Sequence, residues 1–225
     1  MTLQEKLPGV EEEKKTLEFH EFEVKFRVDE GKLNEWKQLV THYRNSDPDN
    51  YKEFVYVDSD DVYYTKKSNS ADVDYEFIRY RFSDDKKNKR AELTTKRKLK
   101  DSFNIIRKEY NVRVDSNTRD TIEGFVTDGL GYEYNFTIGK YVQIYRFKDA
   151  TLPFYTVIDE NGKRDTFVEI EVDEDLLHKI NEDEAWGIIK KYEAILAPLG
   201  ITAKNRLRKS LFEMYSKNLS DKSEK

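Results

Sequence analysis

The sequence has no cysteine, which excludes disulfides and thiolate metal sites and fits a reducing, cytoplasmic setting. No apolar run approaches the ~18 residues that a bilayer-spanning helix needs, so no membrane partner is expected. The first twenty residues include Glu11, Glu12, Glu13, Lys14 and Lys15 and no apolar segment, so they are not read as a secretory signal. There is no Gly-rich phosphate loop and no nucleophilic Ser or Cys arrangement. His20, His42 and His178 are scattered without ligand spacing and read as structural or surface residues. Positive charge is not in excess either. The 40 Lys and Arg stand against 45 Asp and Glu, a net of −5, so no non-specific DNA binding is expected. A local basic channel remains compatible with that balance.

What the chain does have is enough apolar material for a folded core, 37% hydrophobic with 15 tyrosines suited to packing between layers. Residues 1–17 are polar and read as a flexible tail. One domain is expected over 18–217, with a second tail at 218–225. From Glu18 the pattern takes period two: Phe22, Val24 and Phe26 alternate with Glu21, Glu23 and Lys25. A helix is expected from Lys32 to Tyr43, with Asp29 as cap. Strands are expected at 52–58, 61–66, 75–82, 91–99, 104–114, 140–147, 154–159 and 166–172, with Asn161-Gly162 turning the last hairpin. Residues 119–130 admit a short helix. The C-terminal fifth reads as helical over 174–180, 182–197 and 204–217, with Trp36 and Trp186 on apolar helix faces. Lys86, Lys87, Lys89 and Arg90 form a basic hairpin tip, read as a solvated loop that could hold an RNA strand.

The polar strand faces are unusual. Side chains alternate along a strand, so Glu21, Glu23 and Lys25 share a face, as do Glu169 and Glu171. Arg79 and Arg81 share another. Thr94, Lys96 and Lys98 form a row, and Arg107, Glu109, Asn111 and Arg113 form one more. Each row alone could be a solvated sheet face. Together they fit a barrel whose lumen holds a polyanion and a cation, because unpaired buried charge is costly. Carboxylates suit a hard divalent metal, and Arg and Lys suit phosphate oxygens.

Glu21-Phe-Glu23-Val-Lys25 resembles the Glu-x-Glu-x-Lys signature of the CYTH superfamily, the triphosphate tunnel metalloenzymes. The Tyr56-to-Asp58 step is followed by Ile78-Arg79-Tyr80-Arg81, similar to the family's paired-arginine strand. Leu93-Thr94-Thr95-Lys96 resembles its Leu-Thr-x-Lys strand, and Arg107-Lys108-Glu109 its Arg-x-Glu strand. Arg146 falls where a strand cation is expected. Asp159 and Phe167-Val168-Glu169-Ile170-Glu171 are similar to the closing Asp and Glu-x-Glu, and Lys209-Ser210 to a late Ser-containing segment. The resemblance runs in order over about residues 18–215.

It implies a mainly β (α+β) fold, an eight-stranded antiparallel closed barrel with packing helices. It further implies that Glu21, Glu23, Glu169 and Glu171 hold Mg²⁺ or Mn²⁺, with Asp159 close by. Lys25, Arg79, Arg81, Lys96, Arg107 and Arg146 would grip a triphosphate. Lys25, Glu109 and Asp159 are the catalytic candidates, Glu109 as a second-metal ligand or a partner for a cation. The expected partner is a triphosphate-bearing molecule: tripolyphosphate, a nucleoside or thiamine triphosphate, or an RNA 5′ end. A cyclase releasing pyrophosphate and a non-catalytic polyphosphate binder are the alternatives. The chain departs from the family pattern at Ile144, where lysine is common; Lys140 or Lys148 would supply that cation. Glycines are also missing before Glu169, where Lys163-Arg164-Asp165 stand. The pattern sets no oligomeric state.

Overall fold

The computed structural model describes residues 21–66, 73–85, 88–99, 106–114 and 118–216. Both expected tails, His20, and Lys86 and Lys87 of the basic tip lie outside the described residues. The strands are β1 (Glu21–Val28), β2 (Tyr51–Lys66), β3 (Val73–Asp85), β4 (Asn88–Leu99), β5 (Ile106–Arg113), β6 (Glu133–Phe147), β7 (Ala150–Asp159), β8 (Arg164–Val172) and the two-residue β9 (Arg206–Leu207). The helices are α1 (Leu33–Ser46), α2 (Arg119–Gly124), α3 (Glu174–Leu177), α4 (Glu182–Leu196) and α5 (Leu211–Tyr215). All strand pairings are antiparallel, in the order β5-β4-β3-β2-β6-β7-β8-β1-β9. A short β1–β5 ladder, Glu21↔Arg107 and Phe22↔Ile106, brings the two ends of the eight long strands together. The result is a tunnel-like sheet whose seam, among the described residues, runs over two residue pairs.

The apolar strand faces point outwards, towards the helices. Phe22, Val24 and Phe26 of β1 join Val168 and Ile170 of β8 beneath α1 and α4, with Trp36, Val40, Ile189 and Tyr192. Trp36 meets Tyr145 and Phe154 with ring centroids 5.3 Å apart in each case. Burial of such large apolar side chains is the main stabilising term. On the opposite wall, Val62, Tyr64, Ile78 and Tyr80 are covered by Ile122 of α2 and by Val126 of the π-helical turn that follows it. The helices are locally well specified. Asn181 and Glu184 form a capping box on α4, and the chain leaves through Gly200 at φ 79°.

Three expectations are corrected. The candidates at 52–58 and 61–66 are one strand, β2, because Ser59 and Asp60 continue its ladders with β3 and β6. A ninth strand is present. Residues 204–217 are not one helix. Lys25 and Phe26 recruit Arg206 and Leu207 as β9, and α5 begins only after the Ser210 capping box with Glu213. Arg206 is locked by Glu193, with nitrogens 2.6 and 2.7 Å from its carboxylate, and lies 4.7 Å over the Trp186 ring.

Candidate functional site

Strand alternation turns the charged rows into the lumen. On β1 and β8 the Cα partners are Glu23↔Glu171 and Lys25↔Glu169, so four carboxylates and a lysine occupy adjacent positions on one inner wall. Glu21, Glu23 and Lys25 are buried. Lys25 Nζ lies 2.9 Å from Glu169 and 3.9 Å from Glu23. Tyr155 of β7 donates its hydroxyl to Glu169 at 2.6 Å. From β4, joined to β1 through β5, Lys96 donates to both oxygens of Glu21 at 2.9 and 3.0 Å.

The electrostatics separate these carboxylates. Burial works against the charge on Glu169, but Lys25, Lys140 and the Tyr155 hydroxyl outweigh it and hold its pKa low. Glu171 goes the other way. Burial and the neighbouring Glu21, Glu23 and Glu169 raise its pKa well above the usual range. This wall therefore carries more negative charge than the nearby lysines neutralise. Oxygen-only donors of this kind suit Mg²⁺ or Mn²⁺. Among the described residues, however, no group of three or more acidic or histidine side chains is already gathered as a ready metal cage. Glu21 and Glu169 are turned to Lys96 and Lys25 instead.

A second cluster lies on β2, β3 and β6. Asp61, fully enclosed, accepts from Arg81 Nε at 2.6 Å and Arg81 Nη2 at 2.8 Å, and Lys140 Nζ is 3.3 Å away. Burial opposes its charge, yet Arg81 and Lys140 keep Asp61 well below the usual carboxylate range. Lys140 also sits 4.9 Å over the Tyr155 ring. Burial, only partly offset by Asp61, pushes its pKa down to about 8. Arg79 donates to Thr94 at 2.9 Å and lies 3.5 Å from Glu92. Thr94 in turn bonds Asn111 at 2.5 Å.

The far part of the lumen is apolar. Tyr63, Phe77, Phe136, Ile138, Val157 and Phe167 lie on the same inner faces as the charged residues, and Leu211 and Phe212 of α5 pack into them. Phe212 stacks on Phe77 at 4.4 Å, and Tyr215 donates to Asp165 at 2.8 Å. So α5 fills one end of the tunnel.

The structure therefore brings together Glu21, Glu23, Lys25, Lys96, Glu169 and Glu171, with Arg79 and Arg81 on the facing wall. It does not bring in Arg146 or Asp159. Arg146 shares the face of Lys140 but lies six residues, about 20 Å, further along β6. It is exposed and paired with Glu53 at 2.8 Å. Asp159, about 13 Å along β7 from Tyr155, accepts from the backbone N–H of Asn161 and Lys163 at 2.9 Å each, which orders the Gly162 turn. The backbone register sets Arg107 opposite Glu21 and Glu109 opposite Lys96; their side chains lie outside the described residues. Sequence reasoning missed Asp61 and Tyr155 and left Lys140 as a stand-in. The Asp61-x-Tyr63 alternation, carried back through one unbroken β2, would have placed Asp61 in the lumen.

No family model matches the chain, and no curated protein matches it. Solved structures do. A conserved hypothetical protein from Pyrococcus furiosus is 22% identical with a TM-score of 0.61, covering 86% of this chain and 98% of its own. A protein from Vibrio parahaemolyticus described as a putative adenylate cyclase is 13% identical with a TM-score of 0.57, covering 87% and 97%. A putative adenylyl cyclase from Hippeastrum, described as having a dominant triphosphatase activity, is 14% identical with a TM-score of 0.50, covering 87% and 94%.

The tunnel fold that the CYTH resemblance implies is thus the fold of this chain. Among the described residues, no helix is long and apolar enough to cross a membrane.

Proposed function

We propose that the chain hydrolyses a triphosphate inside the tunnel in a divalent-metal-dependent reaction. One observation carries this reading. Glu21, Glu23, Glu169 and Glu171 crowd one inner wall while Arg79, Arg81 and Lys140 stand on the facing one. An anion binder needs no such carboxylates, and a structural core needs neither set. Glu21, Glu23, Glu169 and Glu171 would hold Mg²⁺ or Mn²⁺, which when bound supplies charge neutralisation at the phosphoryl group and orients the attacking water.

The chain's own residues do the positioning. Lys25 and Lys96 exchange their glutamate partners for phosphate oxygens. Arg79, Arg81 and Lys140 hold the rest of the polyphosphate, and Arg107, whose backbone pairs with Glu21, joins them. Glu109, opposite Lys96, keeps its reading as a second-metal ligand or a partner of that lysine. The apolar plug of α5 excludes water and a second opening at its end. Hydrolysis is favoured over cyclisation by the Hippeastrum neighbour, described as dominantly a triphosphatase.

The test is a product assay with tripolyphosphate, ATP, thiamine triphosphate and 5′-triphosphate RNA, each with Mg²⁺ or Mn²⁺ and with EDTA. Metal-dependent phosphate release is expected, and Glu21→Gln should abolish it with the fold intact. Pyrophosphate with cyclic AMP would replace the hydrolase by a cyclase. Undiminished turnover in Glu21→Gln would sink the site.

A further inference from the structure

Resting on the triphosphate reading, the geometry points to Ser59 as a further ligand-contacting residue. We propose that its Oγ donates a hydrogen bond to a phosphate oxygen held by Lys140 and Arg81.

Ser59 sits on the inner face of β2, two residues from Asp61 and four from Tyr63. Its Cα partners are Lys140 on β6 and Ser83 on β3. Side chains so paired have Cβ atoms about 5 Å apart, so an anion resting on Lys140 Nζ is within reach of Ser59 Oγ. Ser59 is only 5% exposed, and its hydroxyl has no hydrogen-bond partner among the described residues. Two other hydroxyls on the lumen wall, those of Tyr155 and Thr94, are served: Tyr155 donates to Glu169, and Thr94 accepts from Arg79. A buried hydroxyl without a partner is destabilising, and alanine would fill the same place without that cost. The serine is explained when a ligand oxygen completes it.

Its position also marks a boundary. One row deeper lie Arg81 and Asp61. One row the other way the inner faces of β2 and β6 turn apolar, with Val57 paired to Val142. Ser59 would therefore meet a phosphate at the edge of the Lys140–Arg81 cluster, as a neutral donor beside two cations.

The test is calorimetric titration of the full chain with tripolyphosphate, with and without Mg²⁺, alongside thermal unfolding. A hydrogen bond to a charged oxygen predicts that Ser59→Ala weakens binding about tenfold. Its unliganded melting temperature should be unchanged or higher. Ser59→Thr keeps the hydroxyl and should keep wild-type affinity to within about threefold. Equal affinity in wild type and Ser59→Ala overturns the inference alone, as it would if water rather than ligand served the hydroxyl. Equal losses in the Ala and Thr variants overturn it too, because shape rather than the hydroxyl would then matter. Absence of binding by the wild-type chain removes the triphosphate reading and this inference with it.

Discussion

Replacing Asp61 with asparagine should make the protein less stable and its grip on triphosphate stronger. Asp61 is completely enclosed and is the shared anion of Arg81, held through two hydrogen bonds, and of Lys140 at 3.3 Å. Asparagine keeps the shape and one acceptor but removes the charge. Breaking a fully buried pair costs about 3–5 kcal/mol. The Arg81 side chain is 27% exposed, so water recovers part of that and about 2–3 kcal/mol is the better figure. For a chain of this size that is a fall in melting temperature of roughly 4–12 °C. A triphosphate brings the missing negative charge to the same two cations. In the wild type it must compete with Asp61; in Asp61→Asn it does not. Thermal unfolding with and without tripolyphosphate measures both terms. The variant should start lower and gain more degrees at each ligand concentration, through mass action on a tighter site. A variant as stable as wild type, or one that gains no more from ligand, would refute the shared-anion argument.

Other outcomes follow from the same geometry. On the proposed reading Lys140, with its pKa pushed down to about 8, would bind phosphate in its charged form, so tripolyphosphate affinity should fall as pH rises through 8. In Lys140→Arg, whose side chain stays charged, calorimetry across pH 7–9.5 should show that limb flattened. Phe212→Ala removes the stacked plug and should cost about 3–5 kcal/mol, read as a lower denaturant midpoint. Arg146→Ala breaks an ion pair with both partners about half exposed, so stability should shift by less than about 0.5 kcal/mol and kcat/KM should not change.

Much of this was legible because period two is a strong signal. Glu21, Glu23 and Lys25, and Glu169 and Glu171, share faces by alternation alone, and β1 and β8 then pair them. Alternation says which residues share a face but not how far along the tunnel each one sits. Arg146 and Lys140 have the same parity, yet only the register with Ser59 sets Lys140 beside Asp61. Asp159 has lumen parity too, but the hairpin turn takes its oxygen. The break assumed between residues 58 and 61 hid Asp61 and Ser59, since polar Ser59, Asp60 and Asp61 look like a turn until both neighbouring strands are known. The helical reading of 204–217 failed similarly. Leu207, Leu211 and Met214 have helical spacing, but the exposed edge of β1 captures the first of them.

The present ion pairs also say how metal and triphosphate should act on one another. Lys25 holds Glu169 and Lys96 holds Glu21, so each glutamate is partly neutralised by a lysine that the phosphate would need on the proposed reading. A triphosphate that draws the lysines away leaves the carboxylate wall, whose burial and crowding already raise the pKa of Glu171, with fewer counter-charges. A divalent cation then binds more strongly, and by linkage the metal strengthens triphosphate binding by the same factor. With two pairs exchanged, each worth about 1 kcal/mol after solvation losses, the mutual gain should be about 30-fold. Manganese titrations with and without a slowly turned-over triphosphate analogue measure one side of the cycle; analogue titrations with and without manganese measure the other. Lys25→Gln should shrink the gain, because one exchange is removed beforehand. Independent binding of the two in the wild-type chain would mean that the lysines keep their glutamates throughout.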